Sequence, residues 1–167
     1  MTAICFYLLL FTLVGCATDS PTASLQRFEY VELHMGSLFR ITLYAPDKAR
    51  ADAVAVAGYQ RVAELDNIMS DYDPHSELMQ LCQKPTGTPV RVSRDLFDIL
   101  QYSQKVSEES DGVFDVTVGP FVQLWRTARK KKALPAPAEL AQAAKAVGYR
   151  KLVLNPRERM VTLTVPN

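Results

Sequence analysis

The chain has 167 residues, of which 48% are hydrophobic and 22% charged, a globular composition over the length of one domain. A net charge of +1 supplies no global field to draw in nucleic acid or an acidic membrane surface, and nucleic acid is not expected as a partner. The three cysteines, Cys5, Cys16 and Cys82, match neither a zinc spacing nor a disulfide framework.

Ile4 to Val14 is an apolar run of signal-peptide length, too short to span a bilayer as a permanent helix. It ends in Leu13-Val14-Gly15-Cys16, which resembles the lipobox of bacterial lipoproteins. There a small residue precedes the cysteine whose thiol receives diacylglycerol and which becomes the new N-terminus. Met1 to Phe6 contains no Lys or Arg, a departure from the basic start of most export signals. An uncleaved hydrophobic N-terminus is the plainer alternative. The cysteine sits where the run ends, which favours a signal peptide over residues 1–15, a lipidated Cys16 and a polar tether over residues 16–26. The expected location is the bacterial cell membrane, lipid-anchored on the periplasmic or extracytoplasmic face.

Phe28 and Tyr30 alternate with Glu29 and Glu32, and Leu33 is a third candidate for the inward face, so Gln26–His34 reads as a strand. Met35-Gly36-Ser37 interrupts it, and Leu38–Tyr44 alternates again. Two antiparallel strands joined by a tight glycine-containing turn are expected. Asp47 and Asp52 are both candidates to cap the helix that follows. From Ala49 to Ser70, Val54, Gly58, Val62, Leu65 and Met69 recur at three- and four-residue spacing and predict an amphipathic helix. Gly58 on that packed face suggests a close neighbour. Ser70–Glu77 is a loop, because Pro74 disfavours helix at Asp73. Ser76 is placed to cap a short helix over Glu77–Gln83. Val90–Val92 is a short extended piece, and Ser93 caps the next helix, with Leu96, Ile99 or Leu100, Ser103 and Val106 facing inward.

Ser110–Trp125 joins two helical patterns, one ending at Glu108–Ser110 and one beginning at Pro120. Gly112 and Gly119 permit close backbone approach, Pro120 suits a first helical turn, Phe114 and Trp125 offer flat faces, and Asp115 and Thr117 offer an acceptor and a hydroxyl. Such a stretch describes a ligand site, and equally an ordinary loop-to-helix corner. The helix continues into Arg126, Arg129, Lys130, Lys131 and Lys132, whose cations complement a helix C-terminus. Pro137 starts a helix over Ala138–Val147 with Gly148 as its C-terminal cap. Lys151–Leu154 and Met160–Val165 read as two strands, marginal if paired only with each other.

Asp71, Asp73, His75 and Glu77 alternate like ligands of a metal loop. The calcium pattern fails, because its glycine position holds Ser76 and its final Glu position holds Cys82. Polar turn residues around Pro74 account for them better. Tyr72, an aromatic in a polar loop, is placed either to stack on a ligand ring or to pack against the helix end.

Taken together, the motifs resemble those of the ApbE-type flavin transferases, also called FAD:protein FMN transferases and formerly thiamine biosynthesis lipoproteins. The lipobox at Cys16 is usual in that family. Met35-Gly36-Ser37 resembles its Met-Gly-Thr turn. Met69-Ser70-Asp71-Tyr72-Asp73-Pro74-His75-Ser76-Glu77-Leu78 resembles its Met-Ser-x-Tyr-x-x-x-Ser-Glu-Leu/Ile loop. Gly112-Val113-Phe114-Asp115-Val116-Thr117-Val118-Gly119-Pro120-Phe121-Val122-Gln123-Leu124-Trp125 resembles its Gly-x-Phe-Asp-x-Thr-Val-Gly-Pro-Leu-Val-x-Leu-Trp signature, the longest and most specific of the four. Ser37 stands for Thr, Phe121 for Leu, and Arg126 for the Gly common after Trp.

The resemblance implies a mixed α/β (α+β) fold over residues 27–167. It also implies transfer of FMN from FAD to a threonine hydroxyl of an acceptor flavoprotein, with AMP released and Mg²⁺ required. Acceptors of the family include subunits of membrane redox pumps. Met35, Tyr72, Val113, Phe114 and Asp115 are the FAD-binding residues it implies; it supplies no catalytic base. The family's Leu-Asp-Leu-Gly-Gly-Ile-Ala-Lys-Gly motif and its metal-binding segment are expected beyond Asn167. The chain therefore reads as the N-terminal portion of such an enzyme, incomplete at its C-terminus, with little transferase activity of its own. A non-catalytic, lipid-anchored flavin- or partner-binding module is the alternative, and a fragment without function a third.

Overall fold

Alternation of Phe28, Tyr30, Phe39, Ile41 and Leu43 with polar neighbours gives a period of two, and a hairpin results. The structure, a computed structural model, describes residues 24–165. Strand β1 (Gln26–His34) pairs antiparallel with β2 (Ser37–Ala45) in unbroken register from Gln26↔Ala45 to His34↔Ser37. Met35 and Gly36 turn the chain with φ of 50° and 69°, the paired left-handed conformations that match the twist of a two-residue hairpin. Leu33 is 70% exposed and lies on the face opposite Phe28 and Tyr30, so the inward stripe of β1 ends instead at His34. The His34 ring stacks on Tyr59, with centroids 5.4 Å apart.

The hairpin packs on α1 (Lys48–Met69), whose N-terminus is capped by Asp47: its Oδ1 accepts from the Arg50 amide at 2.8 Å. Asp52 does other work, accepting from the Tyr30 hydroxyl at 2.7 Å and from the Lys48 ammonium. The buried face of α1 is Ala51, Ala55 and Tyr59, and Val54, expected inside, is 58% exposed. Small side chains let the sheet approach closely, and an apolarity count overlooks them. Gly58 confirms the close approach: a Cβ there would lie 2.8 Å from Ile41 Cδ1. Val62, Leu65 and Met69 are half-buried further along.

Helix α2 (Glu77–Cys82) is capped by Ser76, whose hydroxyl accepts from the Met79 amide at 3.1 Å and donates to the Ser70 carbonyl at 2.6 Å. Strand β3 (Val90–Arg91) leads into α3 (Arg94–Glu109), capped by Ser93. The inner face of α3 is Leu96, Phe97, Leu100, Ser103 and Ser107. Leu100 rather than Ile99 faces inward, and fully buried Ser107 takes the place expected for Val106 because its hydroxyl donates to the Ser103 carbonyl at 2.9 Å.

Helices α4 (Gly119–Lys131) and α5 (Pro137–Ala146) pack on each other. Gly148, at φ 144°, follows Val147 at the end of α5 and opens a short 3-10 turn, Tyr149–Lys151. Strands β4 (Leu152–Asn155) and β5 (Met160–Leu163) complete the described chain. The second sheet has the order β3-β5-β4, all antiparallel. The last two strands, marginal if paired only with each other, gain a third: Val90↔Val161 adds β3, a non-local pairing with no local signal. The core joins this sheet to α2 and α3 through Leu81, Val92, Leu96, Phe97, Leu100, Leu152 and Val161. Each such side chain contributes about 1.5–3 kcal/mol when fully buried.

The architecture is mixed α/β, as expected. The predicted signal peptide and Cys16 lie outside the described residues. Among the described residues no helix is long and apolar enough to cross a membrane.

Candidate ligand site

Two connections build the site. The first is the corner between α3 and α4. Helix α3 ends in a left-handed cap: the Asp111 amide donates to the Glu108 carbonyl at 3.2 Å and the Gly112 amide to the Ser107 carbonyl at 2.8 Å, with φ of 49° and 79° at residues 111 and 112. Only Gly112 reaches its φ without a Cβ penalty. Ser110 Oγ then accepts from the Phe114 amide at 3.1 Å. Asp115 Oδ1 accepts from both the Thr117 amide (2.8 Å) and the Thr117 hydroxyl (2.6 Å), and Thr117 Oγ1 accepts from the Gly148 amide at 2.8 Å. The acid and the hydroxyl of the signature thus fasten the corner to the end of α5.

The second connection is the loop between α1 and α2. Ser70 Oγ accepts from the Tyr72 and Asp73 amides, each at 3.3 Å, and Asp73 Oδ1 accepts from the His75 amide at 2.9 Å. Glu77 Oε1 accepts from the Ser93 amide at 2.5 Å. The alternating acids therefore stabilise the loop and a helix cap. Tyr72 stands out from the loop, 77% exposed.

Arg126 of α4 joins the two connections. Its Nη2 donates to Asp71 Oδ2 at 2.6 Å, and its guanidinium carbon lies 3.9 Å from the centre of the Tyr72 ring. Partial burial works against the charged form of Arg126, but the Asp71 carboxylate and Tyr72 outweigh it and hold its pKa above the ordinary value. Sequence reasoning assigned Arg126 to the basic run at the end of α4. The run is in fact Arg129, Lys130 and Lys131 in the last turn, with Lys132 as cap. Helical spacing held the missed signal, since Arg126 lies four residues after half-buried Val122, on the same side of the helix.

Both connections line one cavity of about 610 Å³, through Met69, Asp71 and Leu78 on one side and Val116, Thr117 and Pro120 on the other. Its walls are mainly apolar, and its size is that of a small-molecule or cofactor site. None of the five residues implied to bind FAD lines this cavity itself. Tyr72 meets the signature helix through Arg126, and Asp115 supports Thr117, which lines the cavity. Val113 and Phe114 are exposed, Val113 at 92%. Met35 sits on the β1–β2 turn, and among the described residues no hydrogen bond, ion pair or ring contact joins it to the loop or corner. The cavity wall itself is made by neighbours of these residues: Asp71 beside Tyr72, and Val116 and Thr117 beside Asp115. An apolar cavity with an aromatic ring at the adjoining loop suits a flat, ring-bearing ligand. No group of three or more His, Cys, Asp or Glu placed to hold a metal ion occurs among the described residues.

Fold and site together define a mixed α/β domain in which two loops line an apolar cavity. The ApbE family model matches residues 35–167, and the chain belongs to the ApbE family. A relative from Salmonella typhimurium named FAD:protein FMN transferase is 30% identical over 146 residues, covering 85% of this chain and 42% of the relative. The flavinyl transferase ApbE of Pseudomonas stutzeri, solved in apo form, superposes with a TM-score of 0.76 at 18% identity, over 86% of this chain and 46% of that one. The flavin transferase ApbE of Vibrio cholerae superposes with a TM-score of 0.75 at 21% identity, over 85% and 46%. The chain spans less than half the length of these relatives.

Proposed function

We propose that the chain carries the flavin-binding wall of an FAD:protein FMN transferase. The observation that carries this reading is the convergence of the two longest family motifs. The 69–78 loop and the 112–125 signature, far apart in sequence, are tied by Arg126 and line one apolar cavity. Met35, Tyr72, Val113, Phe114 and Asp115 are the proposed FAD contacts. Tyr72 and Phe114 offer flat faces to a ring system, and Asp115 keeps Thr117 in place at the cavity wall. In the reaction proposed, a threonine hydroxyl of an acceptor flavoprotein attacks the phosphorus of the FMN half of FAD. The P–O bond to the AMP phosphate breaks, AMP leaves, and the hydroxyl proton passes to solvent. The acceptor class proposed is a redox-pump subunit. Mg²⁺ is the proposed activator, and would supply charge neutralisation at the pyrophosphate. A lipid anchor at Cys16 on the outer side of the membrane is supported by the sequence Leu13-Val14-Gly15-Cys16.

Fluorescence titration of the chain with FAD tests the binding role. Saturable quenching that Tyr72→Ala weakens is the expected result, and no binding of FAD removes the reading. For the anchor, the expectation is a diacylglycerol-sized mass increment on expression in a bacterial host, absent in Cys16→Ser. An unmodified wild-type chain removes it.

A further inference from the structure

A tyrosine that is 77% exposed in a loop is expected to sample several rotamers, and ordering it on binding a ligand would cost affinity. Arg126 removes that freedom. Its side chain, only 19% exposed, lies between the loop and α4, with its charge matched by Asp71 at 2.6 Å and a longer contact to the Asp71 carbonyl at 3.4 Å. The same guanidinium covers one face of the Tyr72 ring at 3.9 Å. Asp71 and Tyr72 are consecutive, so one planar group holds both the backbone and the ring. The loop cannot swing away without breaking a charge-assisted hydrogen bond.

We infer that Arg126 is a positioning residue that clamps Tyr72 by one face and so presents the other face as a preformed stacking platform for a flat ring of FAD. The inference rests on the flavin reading and adds to it a residue outside the five proposed contacts. It depends on the fork geometry of arginine: a lysine ammonium is a point charge, and cannot lie flat on the ring while bridging a carboxylate.

The test uses the 167-residue chain and FAD titration of wild type, Arg126→Ala, Arg126→Lys, Asp71→Asn, Tyr72→Ala and the Arg126→Ala/Tyr72→Ala pair. Arg126→Ala is expected to raise the Kd about three- to tenfold, the range a partly desolvated cation–π contact supports. Arg126→Lys, which keeps the charge but loses the planar fork, is expected to cost about as much as Arg126→Ala, and Asp71→Asn, which preserves size and shape, is expected to cost less. In the Tyr72→Ala background, Arg126→Ala should add nothing, because the ring it positions is gone. A role confined to stability would instead give independent, additive losses. Ring NMR of Tyr72 without ligand supplies a second readout: Arg126→Ala should shift and broaden its resonances. Unchanged affinity in Arg126→Ala beside weakened binding in Tyr72→Ala overturns this inference and leaves the flavin reading standing. Additive losses, or Tyr72 resonances indifferent to Arg126, do the same. Failure of the wild-type chain to bind FAD removes the flavin reading and this inference with it.

Discussion

Thr117 is both donor and acceptor in a short chain of hydrogen bonds, giving its proton to Asp115 and receiving one from the Gly148 amide. Valine has the same shape without the oxygen, so Thr117→Val leaves the half-buried Gly148 amide without its acceptor and Asp115 with only the backbone amide of residue 117 as donor. The expected loss is about 1–3 kcal/mol of unfolding free energy, read from urea denaturation, whereas Thr117→Ser keeps the hydroxyl and most of the stability. Equal losses in the two variants would show that the oxygen is not what matters. Tyr30 gives a second residue-level expectation. Burial, followed by its hydrogen bond to the Asp52 carboxylate, pushes its phenol from 10.0 up to about 12. A folded-state pKa above the unfolded one means that the contribution is complete below pH 10 and is lost as pH rises through about 12. Stability measured from pH 9 to 12 should therefore fall in wild type, and fall less in Tyr30→Phe at the top of that range. Parallel profiles would exclude Tyr30 as a source of the decline.

At the scale of elements, local signals carried far and stopped where packing became non-local. The caps Ser76 and Ser93 and the turn at Met35-Gly36 were legible in the sequence, because each acts within a few residues, whereas the α1 cap was narrowed only to Asp47 or Asp52. The buried stripe of α1 was not, because Ala51 and Ala55 carry little apolar surface and are buried for closeness rather than hydrophobicity. Gly58 did signal a close neighbour, and it supplies a test. Alanine there gains about 1 kcal/mol of helix propensity but places a Cβ 2.8 Å from Ile41 Cδ1. Overpacking of this kind costs about 1–3 kcal/mol, reduced if the end of the Ile41 side chain yields. Gly58→Ala should therefore fall short of its helix gain in wild type and improve in an Ile41→Val background, which lacks Cδ1. A double-mutant cycle on thermal unfolding measures the coupling, and additive effects would mean that hairpin and helix are not in contact at this point.

For the molecule as a whole, the sequence showed the motifs but not their meeting. Position 126 looked like the first charge of a basic run, and only the fold shows that it turns back to Asp71 and Tyr72. The pairing of β3 with β5 was hidden for the same reason: Val90 and Val161 meet only after the chain has passed through three helices. Both long-range contacts bear on how the site responds to a ligand. The cavity is walled by residues from all five helices and from β4 and β5, so a ligand filling it would bridge the helices and the second sheet. Binding to the folded state alone raises the unfolding free energy by about 2.7 kcal/mol when free ligand is 100 times its Kd. For a chain of this size, that corresponds to a rise in melting midpoint of roughly 5–10 °C. The shift should grow with the logarithm of FAD concentration. FMN and AMP, tested separately, should each give a smaller shift, because each fills only part of the site. If AMP alone reproduces the full shift, the apolar cavity holds the adenine end and the flavin lies elsewhere. If FAD leaves the midpoint unmoved at every concentration, the cavity is not its site.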